Sequence, residues 1–403
     1  MEYSNYDRPI FDSDQHFYET TESFTRHLPE RYAGAVRYVT VDGRTKIALR
    51  NHISAYIPNP TFEVVAAPGS GMEYFSGKNV SGKPFREMVT PMRAIPAFTE
   101  PEARLALMDE SHIDAVLNFP TLASVVEVNL MDDPELTLAL VHAFNQWMYD
   151  QWTFNVADRI FSTPVINLAT CDAAIKELEW VVERGAKAIL VRPAPVAGAR
   201  GSRSPFLPEF DPFWSKVEQA GVLLTQHVSN SGYHVDAGRW IGPDASSEWL
   251  AFEPDAFSML VMQDRPIHDS IASAIAHGML SRFPGIKLAT LECGSRWVSR
   301  LVEDFEYVYG RVPQQFPEHP VDVLKRQLYV NPFWEDPLPP LVDLLGVDHV
   351  LFASDWPHPE GLADPASWAE YCRKEGYGET DVARLMGGNL YELLGMEATK
   401  VAA

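Results

Sequence analysis

Pro9-Ile10-Phe11-Asp12-Ser13-Asp14-Gln15-His16-Phe17 is an apolar stretch broken by acidic residues and a histidine near its end. Successive side chains on a strand point to opposite faces, so the alternation predicts Asp12, Asp14 and His16 on one face. The same design recurs downstream. Gly221-Val222-Leu223-Leu224-Thr225-Gln226-His227 ends in a histidine. Gly285 to Glu292 is apolar and ends in a carboxylate. His349-Val350-Leu351-Phe352-Ala353-Ser354-Asp355-Trp356-Pro357-His358 carries Asp355 at its end. Short β-branched runs at 113–119, 162–168, 186–191 and 327–331 bring the expected strands to eight.

Helical patterns alternate with these runs. They are expected at 101–111, 134–158, 172–184, 212–220, 266–283, 295–309, 337–345, 365–375 and 380–394. Gly185, Gly221, Gly310 and Gly346 follow four of them as natural stops. Parallel strands need a crossover, usually a helix. Eight such units predict an α/β fold, a (β/α)8 TIM barrel, with a doubly wound open sheet as the alternative. No Gly-rich dinucleotide loop follows the first strand, which weakens the open sheet. The 403 residues are read as one barrel domain, 1–403. It carries two insertions longer than ordinary loops, 17–99 after strand 1 and a lid-like 228–265 after strand 5. The second holds Tyr233, Trp240, Trp249 and Phe252. Both leave strand C-terminal ends, where barrels build their sites, and are read as lid, pocket wall or oligomer contact.

Composition narrows the function. Net charge is −22, from 33 basic and 55 acidic residues. That disfavours a phosphate-binding surface, so nucleic acid is not an expected partner. No apolar run approaches the roughly eighteen residues of a membrane span, and the N-terminus lacks the pattern of a secretory leader. Cys171, Cys293 and Cys372 lie far apart, fitting neither a disulfide framework nor a thiolate zinc site. A cytoplasmic location is expected.

Buried carboxylates are costly unless paired or bound to a cation. Two imidazoles and two carboxylates at strand ends make a mixed N/O site for one divalent metal. The expected ligands are Asp14, His16, His227 and Asp355. Zn2+ or Mn2+ suits them, and Fe2+ is compatible. Taken one at a time, a strand-end His is more often a satisfied polar residue and a strand-end Asp a helix cap; the signal is the combination.

On these residues the chain resembles the amidohydrolase superfamily. It looks most like the amidohydrolase-related group of aminocarboxymuconate-semialdehyde, resorcylate and carboxyvanillate decarboxylases. The resemblance rests on Asp14-x-His16, His227, Ser354-Asp355-Trp356-Pro357-His358 and the closing Gly387-Gly388-Asn389-Leu390-Tyr391-Glu392-Leu393-Leu394-Gly395. It covers roughly residues 8–20 and 100–396. Many members place a His where this chain has Glu292, which is therefore read as acid/base, further ligand, or partner of Arg296. The modified lysine of binuclear members is replaced by Arg192, which implies a single metal. Arg192 either clamps a substrate carboxylate or pairs with a loop carboxylate. His358 is expected to orient Asp355. Trp297 and Trp356 either pack in the core or stack on an aromatic substrate.

The resemblance implies non-oxidative decarboxylation of an aromatic or unsaturated carboxylic acid, with Asp355, Glu292, Arg192 and His358 as catalytic residues. Hydrolysis of an amide, lactone or ester uses the same ligands and is the alternative. A non-catalytic ligand-binding barrel is the third reading. An anionic small-molecule substrate and a homodimer are also implied.

Overall fold

The computed structural model describes residues 3–4, 6–198, 201–242, 250 and 255–400. Its centre is two parallel sheets. In the first, β1 (Phe11–Phe17) pairs with the strand Ala115–Pro120, which pairs with Ile160–Ser162. In the second the strands Ala188–Leu190, Leu223–His227, Leu288–Leu291 and Leu328–Val330 lie side by side in chain order. These seven are the first seven strands expected from sequence. Leu223, Ala289, Leu291, Ala115, Leu117, Phe11 and Leu351 form one apolar cluster, and a larger core packs beneath the helices.

The expected ring is met in part: the two sheets do not close into one continuous ring. Single parallel bridges run at Val165–Leu190, Val330–Val350 and Gln15–Trp356. Two local causes stand out. Pro164 has no N–H to donate, so the third strand stops at Ser162 instead of reaching residue 168. At the eighth stretch, the Ser354 N–H donates to the Asp12 carboxylate at 2.9 Å, where a ladder would offer a carbonyl. Ser13 N to Phe352 O and Asp355 N to Asp14 O, both 2.9 Å, still tie this stretch to β1.

Three helices differ from expectation. The helix expected at 134–158 ends at Trp152, where Thr153 turns to φ 52°. The one at 266–283 divides at Gly278, φ 71°, into Arg265–Ala276 and Met279–Arg282. The closing helix contains the π turn Arg384–Gly388. There Gly387 lies so close to β1 that a Cβ would collide with the Phe11 nitrogen.

The first insertion has structure of its own. Val36–Val41, Arg44–Leu49 and His52–Ser54 form an antiparallel sheet, and Val64–Ala66 pairs with Pro91–Arg93. Its first hairpin turns at Asp42-Gly43, both at positive φ, a turn matched to strand twist. The second insertion contributes the helices His234–Ile241 and Ala256–Met262. Trp249 and Phe252 fall outside the described residues.

Candidate metal centre and cavity

The register of β1 against its neighbour shifts between Asp12 and Gln15. A bulge of this kind re-aims side chains, and it separates the three residues expected on one face. Asp12 accepts hydrogen bonds from Gln15 Nε2, Ser354 N and the Ser354 hydroxyl. Asp14 and His16 turn instead to His227.

His16 Nε2 and His227 Nε2 face each other at 3.1 Å. Asp14 Oδ1 lies 3.3 Å from both. Glu292 Oε2 is 3.2 Å from His227 Nε2 and 3.6 Å from His16 Nε2. Asp355 Oδ1 is 3.6 Å from His16 Nε2. The potential ligands fall into two overlapping groups, Asp14-His16-His227-Glu292 and His16-Glu292-Asp355-His358. Asp14 and His227 belong to the first group, Asp355 to the second, and His16 and Glu292 link the two.

The donor set fits a divalent cation. Ligands about 2.1 Å from a shared centre stand about 3.0–3.4 Å from one another, close to the separations here. His227 Nδ1 lies 2.8 Å from the Val228 carbonyl. An N–H there leaves the Nε2 lone pair free for the cluster. Asp14 Oδ2 and Asp355 Oδ2 are buried without any hydrogen-bond partner, a cost that a cation removes.

Electrostatics agree. Burial opposes ionisation of Asp14, but His227 and His16 prevail and hold it well below the usual carboxylate range. Burial pulls His16 down, yet Asp14 and Glu292 raise it to about 10. Burial, then Glu292 and Glu360, push Asp355 well up. Burial, then His16, pull His358 well down. Burial and Glu292 lift Glu360 to about 8. Carboxylates outnumber what the imidazoles can balance, which is the charge problem a metal solves. Glu292, just past its strand, and Asp355, at the end of the eighth stretch, both have positive φ, 48° and 55°. Such backbone in non-glycine residues is strained and clusters at functional sites.

Around this point the other expected residues take distinct places. His358 Nδ1 meets Asp355 Oδ1 at 2.7 Å, and its Nε2 lies 3.3 Å from the Thr121 hydroxyl. Arg192 is buried, donates to the Asn230 carbonyl at 3.1 Å and sits 3.7 Å from Glu127. Trp297 is buried in the core, and Trp356 lies under the Arg104 guanidinium at 4.4 Å. Arg296 pairs with Asp336 at 3.3 Å.

Glu292 and Asp355 open onto a cavity of about 190 Å3. Both insertions wall it, Tyr74 and Phe75 from the first and Met259 and Met262 from the second. Phe333 and Trp334 complete an aromatic side.

Sequence reasoning missed Arg104. It is fully buried and donates to the carbonyls of His16 (2.6 Å) and Ala97 (2.8 Å), to Gln15 Oε1 and to Asn118 Oδ1. The signal was an arginine four residues before Met108, on the buried face of its helix. Glu360 was also missed, although it lies two residues past His358 in a segment already singled out.

A family model described as amidohydrolase matches residues 13–396. A solved amidohydrolase from Mycobacterium avium subsp. paratuberculosis K-10 is 37% identical with a TM-score of 0.90; the match covers 97% of this chain and 100% of that one. A dihydroxybenzoic acid decarboxylase from Polaromonas sp. JS666, solved with manganese and 2-nitroresorcinol, is 16% identical with a TM-score of 0.58. It covers 96% of this chain and 97% of its own length, a likeness of fold. A 2-amino-3-carboxymuconate-6-semialdehyde decarboxylase of Dictyostelium discoideum is 28% identical over 143 residues. That match spans 32% of this chain and only 37% of the relative's length. With nearly its whole length matched by the family model, the chain belongs to the amidohydrolase family.

Proposed function

We propose that the protein is a (β/α)8-barrel carboxy-lyase that removes CO2, without oxidation, from an aromatic or unsaturated carboxylic acid, using one divalent metal. The observation that carries this reading is the pair of overlapping ligand clusters, linked by His16 and Glu292, of which Glu292 and Asp355 open onto an aromatic-walled cavity. The decarboxylase names among its relatives support the choice of reaction.

Asp14, His16, His227 and Asp355 hold the metal, the two aspartates through the side chains whose second oxygens lack partners. Zn2+ and Mn2+ both suit this set, and manganese in a neighbour of the same fold favours Mn2+. When bound, the cation would supply a Lewis acid for the substrate's carboxylate. Glu292 has a side chain 15% exposed and faces the cavity. It carries the proton that replaces the carboxylate: the ring carbon gains C–H, the bond to the carboxyl carbon breaks, and CO2 leaves. His358 holds Asp355 in place. Arg192 acts through Asn230, fixing the wall beside the substrate. The family resemblance adds a homodimer.

Hydrolysis is the second reading, favoured by the amidohydrolase name of the 37% identical neighbour. The two separate in one experiment. Metal-loaded protein is incubated in H2(18)O with a panel of aryl carboxylic acids, and with esters, lactones and amides. CO2 release with no (18)O in the organic product is expected. Label in a product acid establishes hydrolysis. A chain that takes up no Zn2+ or Mn2+ on reloading overturns the metal site and both reactions.

A further inference from the structure

The first insertion walls the cavity and is also bonded to the loop that carries Asp355. His358 N donates to the Asp355 carbonyl at 2.9 Å, which closes a turn over residues 355–358. Gly69 N donates to the His358 carbonyl at 3.2 Å, and Gly71 N to the Pro359 carbonyl at 2.7 Å. The near end of the loop is tied to β1, by Asp355 N to the Asp14 carbonyl and by His16 N to the Trp356 carbonyl. At the far end the Trp334 indole N–H donates to the Glu360 carbonyl at 2.9 Å. The insertion holds the stretch between these supports, beside the His358 ring that meets Asp355 Oδ1 at 2.7 Å.

The joint leaves no room for a side chain. Gly71 has φ −95° and ψ 0°, turn backbone open to most residues, so conformation does not call for glycine there. Space does. A Cβ on Gly71 would stand 2.8 Å from the Phe85 ring and 3.0 Å from the Pro359 carbonyl oxygen. A Cβ on Gly69 would stand 2.8 Å from Ala363 Cβ and 2.9 Å from Ala363 N. Glycine permits such close approach of backbone. The Phe85 ring in turn meets those of Tyr74 and Phe75, with centroids 5.2 and 5.4 Å away. Both of these rings line the cavity. One turn therefore touches the packing behind the aromatic wall on one side and the Asp355 loop on the other.

We propose that Gly71, with Gly69, is a positioning residue of the metal site: the turn fastens the first insertion to residues 358–359 and so fixes where Asp355 stands. The inference rests on reading Asp355 as a metal ligand. Asp14, His16 and His227 lie on strands, and Asp355 does not. Loops place ligands less precisely than strands do unless other groups support them. Groups that orient a ligand from outside the coordination sphere are worth about 10–100-fold in metal affinity.

Metal binding tests this, with no turnover read. Metal-free full-length protein is titrated with Mn2+ by calorimetry, and with Co2+ followed by its visible absorption, which reports ligand geometry. Gly71→Ala is expected to weaken Mn2+ binding about tenfold and to change the Co2+ spectrum at saturation. Gly69→Ala is expected to act in the same direction. Gly82→Ala is the control: it lies in the same insertion at φ 64° with open space around its Cβ. It bears backbone strain alone and is expected to keep the affinity and spectrum of the unmodified protein. Asp355→Asn sets the scale for loss of a ligand. If it weakens Mn2+ binding while both glycine variants, folded by circular dichroism, keep affinity and spectrum, the proposal is overturned. An equal loss in Gly82→Ala overturns it as well, as does failure of both glycine variants to fold, since the turn then serves only the stability of the insertion. If Asp355→Asn binds Mn2+ as tightly as the unmodified protein, the ligand reading fails and the proposal falls with it.

Discussion

Two buried polar clusters meet along β1, and they are built on opposite terms. Asp12, Gln15, Ser354 and Arg104 form the first. Asp12 accepts from two side chains and two backbone N–H groups, and Arg104 donates to two carbonyls and two side-chain oxygens. Asp14, His16, His227, Glu292 and Asp355 form the second, where nitrogens face each other and two carboxylate oxygens go unpaired. Burial is equal: Asp12 and Asp14 are both 0% exposed. What separates scaffold from site is whether hydrogen bonding is complete.

The largest effect tests that contrast directly. Asp14→Asn is expected to lower activity at least about a thousandfold, because Lewis-acid stabilisation is worth several kcal/mol and about 1.4 kcal/mol is tenfold in rate. Metal per chain falls with it. In metal-free protein the same substitution also removes the charge that His227 and His16 attract, so the metal-free variant is expected to unfold more easily than metal-free wild type. A variant that keeps its metal and its activity breaks the assignment.

Arg104→Met comes next, at about 3 kcal/mol of lost stability. Two buried carbonyls and two side-chain oxygens lose their donor, at roughly 1–3 kcal/mol for a group left unsatisfied. His16 loses the donor that fixes its carbonyl, so metal affinity also falls, by about 10–100-fold as for other outer-sphere partners. Denaturant unfolding and metal titration read the two effects. Asp12→Ala, about 2 kcal/mol by the same reasoning, is expected to keep one metal per chain. Loss of the metal there would merge the two clusters into one.

The floor of the site was legible because a polar residue at the end of an apolar strand is conspicuous. Asp14, His16, His227, Glu292 and Asp355 all announce themselves in this way. The bulge in β1 was not legible, since it changes no residue type; it removes Asp12 from a face that alternation assigns to it. The eighth strand was over-read for a related reason. A side chain, Asp12, takes the place of a ladder acceptor, and strand periodicity carries no mark of that exchange. The walls were the least readable. Tyr74, Phe75, Met259 and Met262 converge only through tertiary folding of two insertions. Yet the Asp42-Gly43 hairpin within the first insertion followed a local rule and was open to reading.

Glu335 supplies the smallest effect and a third kind of carboxyl, neither saturated nor set against imidazoles. Burial, then Asp336, raise it to about 7 from an ordinary 4.5, against the pull of Arg296. The folded chain therefore keeps a proton that the unfolded chain gives up between about pH 4.5 and 7. Stability from this group falls as pH rises through that window and is level above it. Glu335→Gln removes the penalty. It is expected to stabilise the protein at pH 8 by about 1 kcal/mol, after discounting the shift for solvent screening, and to make little difference near pH 4. Unfolding midpoints of the metal-free pair at both values measure it, with metal ligation out of the comparison. A gain that is the same at both pH values would mean that the amide packs or bonds better than the carboxyl, and not that it removes the cost of ionising Glu335.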